Sequence, residues 1–224
     1  MDVNVCYKIV LYAVAKNLQN GYVSPEDFNT ILMPTAQRSY LDYLLGEYQK
    51  YQNKRPISAV EIGQNQRITQ SLSPLIYGTI LTVNSSGVSA FPSDYEYSNA
   101  MWDVYGVYNI RFTHQDRQSA WVHSAIDPVV TNPIYLINHE GFLFFPSHLG
   151  QAKLSYVRTP PSIVWGYVLD SNGIPVYNPA TSQNPVWGDT DMMQIIVRAL
   201  ALVGVNLQFN TVLGYASDIK NNGQ

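Results

Sequence analysis

The chain has few charged residues, a single cysteine and no long uninterrupted apolar run. Only 13% of its 224 residues are charged, against about 25% in an average soluble domain. The net charge of −3 excludes a sequence-wide basic surface for nucleic acid. Because no apolar run reaches about 18 residues, we expect no membrane-spanning helix, and we expect no signal peptide.

The scarcity of cysteine limits the chemistry that the chain can carry. Cys6 is the only cysteine, which excludes an intrachain disulfide and a cysteine-based metal site. We therefore expect a cytosolic redox environment. Cys6 falls in an apolar pattern with helical spacing, so we expect it to be a small buried hydrophobe.

Aromatic residues are abundant instead. The sequence holds 17 Tyr, 4 Trp and 7 Phe, and 46% of its residues are hydrophobic. Protein interfaces are enriched in aromatic residues and depleted of Lys and Glu, so this composition fits a chain that buries surface against other proteins. A large aromatic β core would give the same composition, and both interpretations remain open.

Helical patterns lie at both ends of the chain. Residues 3 to 18 have the spacing of an amphipathic helix, and Ser24 followed by Pro25 predicts a helix start. Pro34 is expected to break or kink that helix. Near the other end, a helix is predicted to begin at Asp189-Thr190. Its apolar residues spread over most faces, so we expect burial on most sides. One face is predicted to hold Met193, Ile196, Val197, Leu200 and Leu207.

The middle of the chain has the β-branched and aromatic runs that are typical of strands. The predicted strands cover 77–83, 102–113, 117–123, 133–138, 141–146, 152–158 and 163–169. The predicted fold class is therefore α+β. Residues 1–75 and 188–224 are expected to form a helical base. Residues 76–187 are expected to form an inserted antiparallel β-sandwich or open barrel.

Candidate reactive groups are scattered. The four histidines are His114, His123, His139 and His148. His114 lies near Asp116 and His123 near Asp127, but isolated surface histidines are the favoured interpretation over a metal site. Asp94 and Glu96 could share a strand face, yet acidic pairs are common on surfaces. Neither a nucleophile elbow nor a phosphate-binding glycine loop occurs. We therefore predict no enzymatic activity, no cofactor and no metal.

Two functional alternatives remain at this stage. Stacked aromatic rings on a sheet can bind sugars, and the segment around Trp102 offers candidates, although core and interface packing is the favoured interpretation. The candidates are Tyr95, Tyr97, Trp102, Tyr105 and Tyr108. They support a glycan-binding β module of a phage tail as the main alternative. A hydrolase that uses His123 or His139 with a nearby acid is the third hypothesis.

A succession of motifs between about residues 24 and 216 resembles a known family. The motifs are Ser24–Asn29, Phe91–Tyr95, Pro133–Tyr135, Leu154–Pro161, Gly188–Asp191 and Leu202–Val205. Their order is similar to that of head-to-tail connector proteins of tailed bacteriophages. These are neck adaptor or ring proteins, and the chain most resembles those of short-tailed crAss-like phages.

The resemblance implies a structural virion protein. Such proteins form a ring, usually of twelve subunits, which docks beneath the portal protein and contacts other neck and tail proteins. DNA passes through the lumen without specific binding. The location implied is the neck or tail of the virion, and the host cytoplasm during assembly. A ring requires heterologous contacts, in which one patch of a subunit meets a different patch of the next.

The last residues of the chain are the predicted interface. Residues 211–224 alternate apolar residues with polar ones. The apolar members are Val212, Leu213, Tyr215 and Ile219. We predict that this segment orders against a neighbouring subunit by coupled folding and binding; an ordinary last helical turn is the alternative.

Overall fold

The computed structural model describes residues 1–17, 21–52, 59–122 and 127–204. These residues form helices and mainly antiparallel sheets, in two compact units. Leu75–Thr159 forms one unit, which we call the β unit. The rest of the described chain forms the other, which we call the helical unit. The expected combination of terminal helices and antiparallel sheet is confirmed.

Four helices of 14 to 20 residues dominate the helical unit: α1 (Val3–Asn17), α3 (Met33–Gln52), α4 (Ala59–Leu72) and α6 (Asp189–Leu202). A short α2 (Pro25–Asp27) precedes α3. α6 packs against both α1 and α3, so the helices from the two ends of the chain bury their apolar faces together. The buried residues of α6 include Met192, Ile195, Ile196, Ala199 and Leu200.

The start of the second helical segment follows from its local sequence. Ser24 accepts a hydrogen bond from the Asp27 backbone N–H over 3.0 Å, and Pro25 takes the first helical turn. Pro34 was expected to break or kink the helix, and a break is wrong, because the helix continues through this residue. A π-helical turn at Phe28–Leu32 comes directly before α3. The Met33 N–H donates to the Phe28 carbonyl in this wider turn, and the chain passes into α3 with Pro34 in its first turn.

The β unit contains two sheets. The first has three antiparallel strands in the order β1 (Ile76–Thr82), β7 (Gln151–Arg158), β3 (Tyr95–Asp103). The second has the order β2 (Val88–Ser89), β6 (Gly141–Phe145), β5 (Ile134–Asn138), β4 (Arg111–Phe112). One strand pair, β4 with β5, is parallel, which departs from the all-antiparallel expectation. The strand predicted at 117–123 is wrong, because a 3₁₀ turn there leads into α5 (Gln118–Val122).

Both sheets contribute to one hydrophobic cluster. Leu154 of β7 and Met101 of β3 are buried from the three-stranded sheet, and Phe142 and Phe144 of β6 from the four-stranded sheet. The rings of Tyr95 and Phe142 meet edge to face, with centroids 5.3 Å apart. The aromatic residues of the β unit therefore fill its own core, which accounts for part of the aromatic content of the chain.

The segment that follows the β unit differs from the predicted boundary. The predicted β insert includes residues 160–187, whereas in the structure these residues belong to the helical unit. Trp165 explains why: its backbone N–H donates to the Asn29 amide oxygen over 2.8 Å, and its ring lies 4.3 Å from that of Tyr7. The segment contains a two-stranded hairpin, β8 (Tyr167–Leu169) and β9 (Pro175–Tyr177).

Candidate functional site

A polar junction ties three helices of the helical unit together. The Tyr40 hydroxyl on α3 donates to Asp191 Oδ1 on α6 over 2.5 Å. Ser71 on α4 donates to the same oxygen over 2.9 Å. Burial, followed by the hydrogen bond to Asp191, raises the pKa of Tyr40 above its ordinary value. The phenol therefore stays protonated and continues to donate throughout the physiological pH range.

A cavity of about 570 Å³ opens beside this junction. Arg198 lies over the rings of Tyr40 and Tyr43, 5.0 Å and 5.2 Å from their centroids, and Arg67 also lines the cavity. Its volume is within the range of pockets that hold a bound group, about 300–1,000 Å³. The lining residues are Tyr40, Tyr43, Leu44, Glu47, Arg67, Ile68, Ser71, Thr190, Asp191, Gln194 and Arg198. The lining offers hydroxyl, carboxylate and guanidinium groups, which can form hydrogen bonds to a bound polar group.

Three of the four histidines lie in the described part of the chain. His114 lies edge-on to the Phe112 ring at 4.9 Å, and His139 is 3.8 Å from Glu140 on an exposed turn. His148 is exposed in a 3₁₀ turn, and His123 lies outside the described residues. Within the described ranges, no three His, Cys, Asp or Glu side chains are close enough to hold a metal ion.

The acidic residues Asp94, just before β3, and Glu96, within it, have structural partners. Asp94 accepts a hydrogen bond from the Tyr156 hydroxyl over 2.8 Å, and its carbonyl accepts one from the Thr159 N–H. Glu96 accepts a hydrogen bond from the Thr159 hydroxyl over 3.4 Å. These contacts join the end of β7 to the start of β3. Both carboxylates therefore have a structural role.

The aromatic candidates for sugar stacking do not form one platform. Tyr95 is stacked on Phe91 within the core of the β unit, whereas Tyr105 is 85% exposed in the loop after β3. β3 has nine residues and therefore separates its two ends by about 27 Å. The buried Asp103 carboxylate accepts from the backbone N–H groups of Tyr105 and Tyr108, so it fixes the loop that displays Tyr105.

The β8–β9 hairpin exposes apolar residues on both strands. Val168, Leu169, Ile174 and Val176 are each about half exposed or more. Asp170 holds the turn, because its Oδ1 accepts from the N–H groups of Asn172 and Ile174, each over 2.8 Å. The strand predicted at 163–169 is shorter in the structure, at Tyr167–Leu169, and the sequence pattern did not predict this exposure. The runs of apolar residues on both sides of the turn are the feature of the sequence that could have indicated the exposed apolar surface.

The base of the hairpin is packed against Trp165 and Thr181. Trp165 stacks with Tyr167 at the start of β8 and is close to Tyr177 at the end of β9. Gly166 is in close contact with Thr181, because a Cβ there would come within 2.3 Å of Thr181 Oγ1. The exposed residues of the hairpin therefore project from an ordered base.

α6 carries a second exposed apolar surface, formed by Met193 and Val197, which we call its outer face. These two residues are four positions apart and each 44% exposed, whereas Leu202, 50% exposed, lies on another side of the helix. The prediction that Met193 and Val197 belong to the buried face is wrong, and so is the expectation of burial on most sides. The buried stripe starts one residue earlier, at Met192, because only one side of the helix faces α1 and α3.

The predicted interface residues Val212, Leu213, Tyr215 and Ile219 lie outside the described residues. A scan against protein-family models and a search of curated proteins find no match for this chain. Among the described residues, every helix is too short or too polar to cross a bilayer.

Proposed function

We propose that this protein is a ring-forming connector subunit of a phage neck, assembled beneath the portal protein. The observation that carries the proposal is the pair of exposed apolar surfaces on the helical unit, the β8–β9 hairpin and the outer face of α6. They differ in shape and sequence, and a ring needs two different surfaces that meet head to tail. The order of motifs described above supports the phage family within this class of assembly proteins.

The composition supports the same role. Few charged residues and many exposed large apolar side chains are unfavourable on an isolated monomer and favourable on a subunit that buries them. The net negative charge suits a lumen through which DNA passes, because a basic lumen would retain it. We further propose that the two sheets of the β unit pack as an open sandwich, supported by the cluster that both of them share.

Electron microscopy of the purified chain mixed with its cognate portal protein tests the proposed function. We expect a closed ring docked on the portal, usually of twelve copies. A chain that stays monomeric both alone and with the portal contradicts the proposal. A monomer in the absence of the portal does not, because the portal can template the ring.

A double-mutant cycle between the sheets tests the sandwich. We expect Tyr95→Leu and Phe142→Leu to show a coupling energy of about 0.5–1.5 kcal/mol, the value typical of edge-to-face aromatic pairs. Additive effects would indicate that the two rings do not interact and that the sheets are not packed face to face.

A glycan-binding module is the second candidate. The exposed ring of Tyr105, held by the buried Asp103, favours it. Glycan-array binding that is lost in both Tyr105→Ala and Trp102→Ala, with folding intact, would establish this function. If the wild-type chain binds no glycan, the glycan-binding function is excluded.

A further inference from the structure

We propose that residues 205–213 of one copy of this chain add as an extra strand to the outer edge of β1 in a neighbouring copy. The contact is additional to the hairpin and the outer face of α6, and it gives the β unit a part in the assembly. The inference rests on the proposed function only for the choice of a second copy as the donor of the strand.

β1 is an open edge of the three-stranded sheet. In the described part of the chain it pairs with β7 alone, over an unbroken register of seven residue pairs. The Val83 N–H donates to the Gly150 carbonyl at the end of this ladder. By alternation, the N–H and C=O groups of Gly78 and Ile80 therefore point away from β7. They form the row of backbone groups to which an added strand binds.

This edge lacks the features that keep natural edge strands from pairing. β1 contains no charged residue, no proline and no bulge, and these are common means of protection. The opposite edge of the same sheet, β3, has them: its register with β7 shifts twice, and it carries Glu96 and Asp103. The edge strands of the four-stranded sheet, β2 and β4, have two residues each. Of the edges that the structure describes in the β unit, β1 is therefore the one suited to accept a strand.

Large apolar side chains on both faces of β1 are only half covered. Tyr77 is 46% exposed on the face that also carries the buried Leu81, and Ile80 is 58% exposed on the other face. Gly78 is exposed beside Ile80 and leaves room on that face for a larger side chain. A strand added at this edge would lie about 4.8 Å from β1, and its side chains would cover both Tyr77 and Ile80.

The segment that follows α6 has the sequence pattern of a strand. α6 ends at Leu202, and Gly204 has a positive φ of 70°, which is the usual way to end a helix. Apolar residues then alternate with polar amides, as in a strand with one covered face. The alternating residues are Val205, Asn206, Leu207, Gln208, Phe209 and Asn210. No charged residue occurs before Asp218, so this segment is as free of charge as β1.

Among the stretches outside the described ranges, only residues 205–224 are long enough to match β1. The others, 18–20, 53–58 and 123–126, are each shorter than this seven-residue strand. Residues 205–224 span about 65 Å when fully extended, which allows them to reach another copy. A segment that leaves one copy and an edge on the next copy are two different surfaces, as the head-to-tail contact of a ring requires.

Photo-cross-linking in the full-length chain tests the contact. Phe209 is replaced by the photoreactive residue p-benzoylphenylalanine, and this variant is mixed with an isotopically heavy wild-type chain and the cognate portal protein. After irradiation, mass spectrometry of the peptides identifies the residues that were joined. We expect cross-links from Phe209 of the light chain to residues 76–82 of the heavy chain, because the isotope label distinguishes a contact between copies from one within a copy.

Ile80→Lys and Ile137→Lys in the heavy chain are the matched comparison. Both residues are exposed on strands of the β unit, at 58% and 42%, but Ile137 lies on β5, which is between β6 and β4. Because a lysine on an edge strand disfavours pairing, we expect Ile80→Lys to lower the yield of cross-links to β1 at least about fivefold. Ile137→Lys should leave the yield unchanged.

Several results would overturn the inference. Cross-links only within one copy, only to the portal protein, or only to sites outside residues 76–82 would do so, as would an equal loss of yield in the two lysine variants. Rings that form on the portal without cross-links to β1 overturn the inference and leave the proposed function standing. Monomers throughout, without rings or cross-links, overturn both.

Discussion

Tyr40 is the residue that connects most of the helical unit. It is buried on α3, donates to Asp191 of α6 and lies under Arg198. Trp187, at the approach to α6, packs edge-on against the same ring with centroids 5.4 Å apart. Through these contacts Tyr40 joins the N-terminal helix α3 to the C-terminal helix α6.

Removing the Tyr40 hydroxyl should therefore destabilise the helical unit. Tyr40→Phe keeps the ring and leaves Asp191 with one hydroxyl donor instead of two. We expect a loss of about 1–2 kcal/mol in the free energy of unfolding, because hydrogen bonds to charged groups contribute about 1.5–3 kcal/mol. Urea denaturation measures it. Tyr43→Phe, whose ring is half exposed, is the matched control and should change stability by less than about 0.5 kcal/mol. Equal effects would contradict the assigned role.

The same residue makes stability depend on alkaline pH. Folding raises the pKa of Tyr40, so the unfolded chain loses this proton first as the pH rises above about 10. The stabilisation is complete below that pH and declines above it. The free energy of unfolding of Tyr40→Phe should therefore fall less steeply than that of the wild type between about pH 10 and 11. Parallel curves would show that the phenol is not buried as described.

Cys6 should behave as an inert thiol. It is fully buried, and burial raises its pKa from 9.0 to about 11. At pH 8 only about one thiol in a thousand is then ionised, and the thiolate is the reactive form. We expect the native chain to react with a thiol reagent far more slowly than the urea-unfolded chain. Cys6→Ala combined with Ser85→Cys supplies an exposed thiol and should react immediately. A native rate equal to that of the exposed thiol would refute the burial of Cys6.

The base of the β8–β9 hairpin depends on one small residue, Gly166. A Cβ on Gly166 would lie 2.5 Å from the Thr181 carbonyl carbon and 2.7 Å from the Ser182 nitrogen, and these backbone atoms cannot move aside without distorting the base of the hairpin. Overpacking of this kind costs about 1–3 kcal/mol. Gly166→Ala should therefore lower stability by that amount and weaken the attachment of the hairpin.

Gly46→Ala is the matched control for this substitution. Gly46 lies in α3, and a Cβ there would meet nothing within 4 Å. Alanine is favoured over glycine in a helix by about 0.5–1 kcal/mol, so this variant should be more stable than the wild type. Thermal unfolding of the two variants gives opposite shifts if the contacts at Gly166 are as described. A neutral or stabilising Gly166→Ala would contradict them.

Sequence patterns predicted those elements whose causes are local. The helix start at Ser24 depends on a side chain and a backbone amide three residues apart, and both are visible in the sequence. The tight turn between β5 and β6 likewise depends on Asn138, whose amide oxygen accepts from the N–H groups of Glu140 and Gly141. The interpretation of 117–123 as a strand was wrong, because its apolar residues fit a short helix equally well.

Features that depend on distant partners could not be predicted in this way. Trp165 joins the helices through Asn29 and Asn4, which are 136 and 161 residues away in the chain, so the local strand pattern misplaced residues 160–187. On α6, both Met192 and Met193 are apolar, and only the positions of α1 and α3 decide which of them is buried. The junction between Tyr40, Ser71 and Asp191 has the same origin, since three separate helices supply it.

At the scale of the whole molecule, the chain combines a helical unit made from both of its ends with a β unit inserted between them. The β unit encloses its own aromatic core, and both units expose large apolar side chains, among them Ile80 and Val107 in the β unit and Leu169 and Val197 in the helical unit. The contacts between copies on which the proposed function rests lie in the helical unit, at the hairpin and on α6. Substitutions there should alter assembly, while substitutions in the core of the β unit should alter folding.

Native mass spectrometry of the full-length chain mixed with its cognate portal protein tests the proposed assembly most directly. We expect a single dominant complex that contains the portal ring and a closed ring of this chain, usually twelve copies. The same mixture made with Val197→Asp, which places a charge on the outer face of α6, should leave the portal bare while the variant stays folded. A bare portal ring with monomeric wild-type chain would contradict the proposed function.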